Sequence, residues 1–297
     1  MRDTKCILLF GGITLSVMLA IATALMLAPQ NPARDPSAPV PAQTAAAGLL
    51  YTFNAPGILQ ETGSMQQSTS PYWWLNSGGE LIIQNNFGET MQGSAPLLNK
   101  WHIAYALNNP LDTDGGTHPQ NLLRLVSKST WDNLSEEVHF YINADNLSSS
   151  PNRNQSNGLL LMSRYQDSGQ TLYYAGIRVD GTTVIKKKYK GIYYTMAQKQ
   201  ILPGTYSIQA AAGMSQNLLP HQQWIGLKAT TVTNPDHSVT VTLFMQSSTG
   251  AWNQILQSTD RGDSAVGNTP PITGTAYAGI RTDFMDVEFS NVSLQSM

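Results

Sequence analysis

Cysteine is all but missing. Cys6 is the only one in the chain, so no disulfide closes within it and no cysteine-ligated zinc site can form. The fold must be held by its core, and 297 residues suffice to bury a large one. Charge is scarce too. Asp, Glu, Lys and Arg supply 12% of residues, against about 25% in an average soluble protein, and Ser, Thr, Asn, Gln and Gly take their place. The formal net charge is −2. Bulk charge therefore leaves no footprint for nucleic acid or a charged membrane surface, and no nucleic-acid partner is expected. The histidines (His102, His118, His139, His221 and His237) never stand four apart, so the HxxxH zinc spacing is absent. Asp112-Thr-Asp114-Gly-Gly116 opens like a calcium loop, but the position an EF-hand reserves for a bidentate Glu is Leu123. A polar turn is the plainer reading, and the metal complement stays unknown. Beyond the N-terminal segment, no long stretch repeats its apolar residues at 3.6, which leaves little room for helix.

What is present begins with an apolar run. Arg2 and Lys5 precede residues 6–28, a stretch of 23 without a charge, and about 20 apolar residues cross a bilayer. Residues 1–28 read as a signal-anchor, that is, one transmembrane helix, or as a long signal peptide cut near Ala22-Thr23-Ala24. The basic start predicts a cytoplasmic N-terminus and an exported remainder. That places the chain in the cell membrane as a single-pass protein with its C-terminal domain outside, or in the secreted fraction if it is cleaved. Membrane contact is expected through this helix only. Residues 29–48 are rich in Pro and Ala and read as a semi-rigid spacer. No composition break divides residues 49–297, which read as one domain.

That domain reads as all-β. Candidate strands fall at 50–54, 80–84, 101–107, 122–128, 136–144, 158–165, 172–179, 182–189, 192–198, 223–230, 238–246, 252–257, 277–282 and 286–295, with Gly, Asn, Pro and Ser between them. Many short strands separated by turn signals predict a two-sheet antiparallel sandwich. Its most informative stretch is residues 172–198. Asp180-Gly181 and Lys190-Gly191 are turn dipeptides, so three strands follow one another. Side chains alternate between faces: Tyr173, Ala175, Ile177 and Val179 should enter the core, whereas Leu172, Tyr174, Gly176, Arg178 and Asp180 take the opposite, polar and aromatic face. The pattern recurs about a hundred residues later. Tyr277-Ala-Gly-Ile-Arg281-Thr-Asp283 repeats Tyr174-Ala-Gly-Ile-Arg178-Val-Asp180 with one change. Two copies do not make a solenoid; the expectation is two strands of one sheet lying side by side, each offering Tyr and Arg to one hollow.

From about Tyr72 onward the chain resembles the concanavalin A-like lectin/glucanase superfamily, which includes laminin-G-like domains. The resemblance rests on Gly158-Leu-Leu-Leu-Met-Ser-Arg164-Tyr165, Leu172-Tyr-Tyr-Ala-Gly-Ile-Arg178-Val-Asp-Gly181, Trp224-Ile-Gly-Leu-Lys228, Ala278-Gly-Ile-Arg281 and the closing Asp286-Val-Glu-Phe-Ser-Asn-Val-Ser293. It implies a jelly roll whose concave face binds sugar. Such domains often hold a structural calcium, for which Asp112, Asp114 and Asp286 are the candidates; no other cofactor is implied. The Glu-x-Asp-x-x-Glu run of the related laminarinase-type hydrolases is not in this sequence.

A pyranose needs aromatic rings for its apolar face and fixed polar partners for its hydroxyls. The candidate ligand-binding residues are Tyr174, Arg178, Tyr194 and Arg281, with Arg164, Asp180, Tyr277 and Lys186 beside them. Trp73, Trp74, Tyr193 and Asn157 are further candidates. Lys186-Lys187-Lys188 with Lys190 is the one basic run. It reads either as protection of an edge strand or, with Arg178 and Arg164, as a site for an anionic glycan, since arginine forks match carboxylates and sulfates. The function expected is binding of a poly- or oligosaccharide, neutral or anionic, at the cell surface without catalysis. The alternative is a polysaccharide lyase or glycoside hydrolase on the same face.

Overall fold

The computed structural model describes residues 48–208 and 217–297. The apolar run of residues 6–28 and nearly all of the Pro/Ala-rich spacer lie outside them. Among the described residues no helix is long and apolar enough to cross a membrane.

Sixteen strands occur among the described residues. They are β1 (Gly48–Tyr51), β2 (Gly57–Gln60), β3 (Trp73–Ser77), β4 (Glu80–Gln84), β5 (Phe87–Thr90), β6 (Leu122–Trp131), β7 (Leu134–Asp145) and β8 (Gly158–Gln166). After these come β9 (Thr171–Arg178), β10 (Thr182–Tyr189), β11 (Ile192–Gln200), β12 (Trp224–Thr233), β13 (Val239–Gln246), β14 (Trp252–Asp260), β15 (Ala276–Asp283) and β16 (Met285–Ser296). They build two antiparallel sheets. The seven-stranded sheet has the order β11-β10-β9-β8-β15-β6-β3. The nine-stranded sheet runs β14-β13-β12-β7-β16-β5-β4-β2, with β1 added beside β16. The inner faces meet in one core, with Leu125, Leu161, Tyr173, Ile177 and Ile280 from one sheet and Val138, Phe140, Leu227, Val241 and Phe289 from the other.

Residues 101–107 are not a strand. They belong to a helix, α1 (Lys100–Asn108), whose Asn99 cap accepts from the Trp101 N–H. The segment contains one β-branched residue, Ile103, among Ala and Leu, which favour helix. Trp101 and Tyr105, one turn apart, reach the same side: Trp101 Nε1 donates to Gln60 Oε1 at 2.8 Å and Tyr105 OH to Glu61 Oε2 at 2.6 Å.

The lysine run is not on a sheet edge either, because β11 pairs outside β10. Lys187 is fully buried between the sheets. Its ammonium lies 2.7 Å from Asp260 Oδ2 and donates to the carbonyls of Thr269 (2.9 Å) and Pro270 (2.7 Å). The Tyr173 hydroxyl donates to the same carboxylate at 2.6 Å and accepts the Ile272 N–H at 2.9 Å. A buried charge is tolerated only when paired and hydrogen-bonded, and this network satisfies both conditions.

Candidate functional site

The two Tyr-Ala-Gly-Ile-Arg segments are β9 and β15. They share the seven-stranded sheet but are not neighbours, since β8 lies between them. Glycine is required at the centre of each. A Cβ on Gly176 would stand 2.1 Å from the Leu159 carbonyl oxygen, and one on Gly279 would stand 2.1 Å from that of Leu125. The repeat therefore marks two close backbone approaches, and each leaves the sheet surface bare between a Tyr and an Arg.

Over that surface lies a groove of about 500 Å³. Arg281 reaches across β8, its Nη1 donating to the Tyr174 hydroxyl at 3.3 Å with the guanidinium 5.6 Å from the Tyr174 ring centre. Its Nε donates to Asp283 Oδ1 at 2.8 Å. Tyr193 stacks on Tyr174, the ring centres 6.1 Å apart and the planes 19° from parallel. The Lys188 ammonium sits 5.0 Å from the Tyr193 ring centre and donates to the Gly169 carbonyl at 2.9 Å. Lys186 and Arg124 complete the basic lining, and Asn152, Asn154, Ser156 and Asn157 form a neutral wall. Four cations (Arg124, Lys186, Lys188 and Arg281) thus face two carboxylates, Asp112 and Asp283. Both acids are engaged, Asp283 by Arg281 and Asp112 by the Asn152 side-chain amide at 2.9 Å and by Ser150.

The ionisable groups divide. Burial pushes the Tyr174 phenol up to about 12, against the pull of Arg281. Burial also acts to raise Tyr193, but Arg281 and Lys188 prevail and hold it below its ordinary value. Lys186 is lowered, first by burial and then by Arg178. For Arg281, burial opposes the charge, yet Asp283 and the two phenols hold its pKa well above the usual range.

Not every candidate lies in the groove. Arg164 has φ +53° at a bulge where the pairing of β8 with β9 shifts register. The extra residue cancels the alternation, so Ser163 and Arg164 both turn inward. Ser163 Oγ meets Thr231 at 2.7 Å, and the Arg164 guanidinium donates to Asp132 (2.7 Å), Thr233 (2.9 Å) and the Gly274 carbonyl. Tyr194 is on the inner side as well. The Lys190-Gly191 turn pairs Tyr189 with Ile192, hence Lys188 with Tyr193 and Lys187 with Tyr194. The Tyr194 ring lies against Gly267, where a Cβ would approach it to 2.6 Å.

Arg178 and Asp180 are bonded to each other and do not line the groove. Arg178 Nε donates to the Gln155 carbonyl at 3.0 Å, so this arginine holds the Asn-rich wall in place. Tyr277 lies on the same strand as Arg281 but lines a separate pocket of about 230 Å³ with Trp74 and Tyr165. Trp73 is core. The groove thus brings together Tyr174, Arg281, Lys186, Asn157 and Tyr193, and adds Lys188, Asp283 and Arg124. The first two of these additions were signalled in the sequence, Lys188 by sharing a face with Lys186 and Asp283 by closing the second repeat.

The three acids named for calcium are each engaged by protein groups, Asp114 by Ser148, by Asn121 and by His118 Nδ1 at 2.8 Å. Asp286 takes Gln120 Nε2 (2.9 Å), Asn146 Nδ2 (3.0 Å) and the Gly93 N–H (2.6 Å). Among the described residues no group of three or more His, Cys, Asp or Glu is placed to hold an ion.

No protein-family model and no curated protein matches this chain. Among solved structures it is similar to the carbohydrate-binding module CBM66 from Bacillus subtilis, at 12% identity over 59% of this chain and 82% of that one, with a TM-score of 0.39. It is also similar to the GH43 protein BlXynB from Bacillus licheniformis, at 11% identity over 89% of this chain and 42% of that one, with a TM-score of 0.45. A third likeness is to the beta-glucanase of Bacillus licheniformis, at 8% identity over 86% of this chain and all of that one, with a TM-score of 0.42. With every TM-score below 0.5, the groove is judged on its own geometry.

Proposed function

We propose that the groove on the seven-stranded sheet binds an acidic saccharide, with uronate or sulfate groups meeting Arg281 and Lys186 and a sugar ring lying against Tyr193, which Tyr174 backs. One observation carries the reading. Lys186 lines the groove and makes no ion pair among the described residues, and both carboxylates of the lining are already engaged, so the groove holds positive charge that an entering anion would relieve. The exposed Tyr193 ring, backed by the buried Tyr174, supplies an apolar surface, and the Asn-rich wall supplies neutral partners for hydroxyls. The apolar run near the N-terminus supports display at the cell surface, the polymer being met outside the membrane.

The test is binding of the full chain to polygalacturonate, alginate and heparin at two salt concentrations. Retention that weakens with salt and falls in Arg281→Met and Lys186→Met is the expected result. Binding confined to neutral glycans, or indifferent to both substitutions, would remove the groove from the account.

A second reading is favoured by two stacked phenols beside a guanidinium. Such a pair suits β-elimination from a uronate. Tyr193 would take the C5 proton and Tyr174 would give its proton to the departing C4 oxygen, while the C4–O bond breaks and a C4–C5 double bond forms. Growth of absorbance from unsaturated ends during incubation with polyuronates, abolished by Tyr193→Phe, would establish catalysis. Its absence alongside salt-sensitive binding would leave a binding domain.

A further inference from the structure

The outer face of the nine-stranded sheet differs in chemistry from the groove. Register places a row of side chains across its strands. Trp252 of β14 pairs with Gln246 of β13; Gly226 of β12 pairs with His139 of β7, and His139 with Ser290 of β16. The Cβ position of Gly226 lies against the Gln246 side chain, which closes the gap between β13 and β12. Phe289 pairs with Gly88, so Phe87 of β5 continues the row beyond Ser290. Six strands in succession at about 4.8 Å each give a row roughly 24 Å long.

The row has rings at both ends, Trp252 and Phe87, and the small residues Gly226 and Ser290 on either side of His139. Trp224, two positions before Gly226 and on the same face, packs 5.3 Å from Phe87 and 5.3 Å from Tyr141, centre to centre. It is held between two rings yet remains 42% exposed. At the far end Trp252 lies 6.0 Å from His139. Gly226 and Ser290 lower the floor, and a depression of about 440 Å³ opens beside Phe87, His139, Trp224 and Asn291. No acid or basic group other than His139 lines it. Lys228 and Glu137, on the same two central strands, neutralise each other at 2.8 Å. Two amides beside the row are held in place: Gln246 Oε1 meets His139 Nε2 at 2.9 Å, and Gln222 Oε1 accepts from Tyr141 OH at 3.0 Å.

We infer that this row is a second saccharide surface, distinct from the groove and built for an uncharged glycan lying across the strands. Fixed aromatic faces take the C–H side of a pyranose, and amides take its hydroxyls. Without net charge in the row, an acidic polymer gains nothing there that it does not gain more strongly in the groove. A chain carrying both surfaces would hold an acidic and a neutral polysaccharide on opposite faces of one domain.

The experiment is titration of the full chain with cellohexaose, xylohexaose, mannohexaose and maltohexaose, followed by tryptophan fluorescence at two salt concentrations. At least one hexaose should bind with an affinity that salt does not change. Trp224→Ala should weaken it about tenfold or more, Trp224→Tyr should retain most of it, and Arg281→Met in the groove should leave it unaltered. Far-ultraviolet circular dichroism confirms that the variants fold. The inference is overturned if none of the four sugars binds at millimolar concentration, or if binding survives both Trp224→Ala and Trp252→Ala. It is equally overturned if the wild-type chain self-associates and Trp224→Ala abolishes that association, for the row would then be a contact between copies.

Discussion

The two faces of the seven-stranded sheet use the same residue types to opposite ends. Inward stand Tyr173, Lys187, Arg164 and Tyr194; outward stand Tyr174, Lys186, Lys188, Tyr193 and Arg281. Several of these are adjacent in sequence. Of the inward set, Lys187 has a carboxylate and two carbonyls, and Tyr173 has a carboxylate and an amide. The outward set is under-neutralised and open to the groove. Residue type alone therefore assigns no role here. The pleat decides which phenol and which ammonium hold the sandwich together and which remain available to a ligand.

The comparison breaks most readily at neighbouring lysines. Lys187→Met leaves Asp260 buried without its cation and is expected to cost about 3–5 kcal/mol, read as a large fall in Tm. Lys186→Met should change stability by no more than about 0.5 kcal/mol while weakening binding to polygalacturonate. Equal losses of stability in the two variants would mean that the faces do not differ as described.

The arginines sharpen the same contrast with a smaller effect. Arg281→Met removes the guanidinium beside Tyr174 and should lower polyuronate affinity about tenfold, or ~1.4 kcal/mol. Arg178→Met should lower it less, because that side chain reaches the site only through the Gln155 carbonyl of the wall. Isothermal titration of both variants separates direct contact from support. A larger loss in Arg178→Met would place the ligand beside Arg178 and not in the groove.

Much of this division was legible in the sequence. The inward phase of Tyr173, Ala175, Ile177 and Val179 follows from alternation alone, and all four are in the core. Tyr193 and not Tyr194 could have been placed by counting through Lys190-Gly191, since a two-residue turn fixes the register on both sides. Arg164 could not. Its inward turn comes from a bulge, which depends on how β8 meets β9 and leaves no composition signal. The same holds for α1, where a nine-residue helix is too short for its period to show, and for the aromatic row, whose members come from strands far apart in the chain.

The smallest expected effect concerns the other sheet, where Glu136 and Glu137 are a like pair on opposite faces. Glu137 faces out and is joined to Lys228 at 2.8 Å. Glu136 is 1% exposed, in phase with Leu134, Val138 and Phe140, and neither carboxyl oxygen has a hydrogen-bond partner among the described residues. Burial raises its pKa well above the ordinary value. The folded chain thus keeps a proton that the unfolded chain releases near pH 4.3, an approximate model-peptide value. Where the folded state binds more protons, stability falls as pH rises. The contribution of Glu136 is greatest in acid and is lost as pH climbs from the unfolded value towards the folded one. Glu136→Met removes the group and the slope together, and should gain about 1 kcal/mol at neutral pH and little in acid. His221, raised chiefly by its hydrogen bond to Asp145, gives a slope of the same sign beginning near its own unfolded value, about pH 6.5, so the two contributions separate along the pH axis. Urea melts of the wild type and Glu136→Met from mildly acidic to neutral pH resolve them. If the two curves run parallel throughout, Glu136 is ionised or partnered in the folded chain, and the second sheet does not repeat the contrast seen in the first.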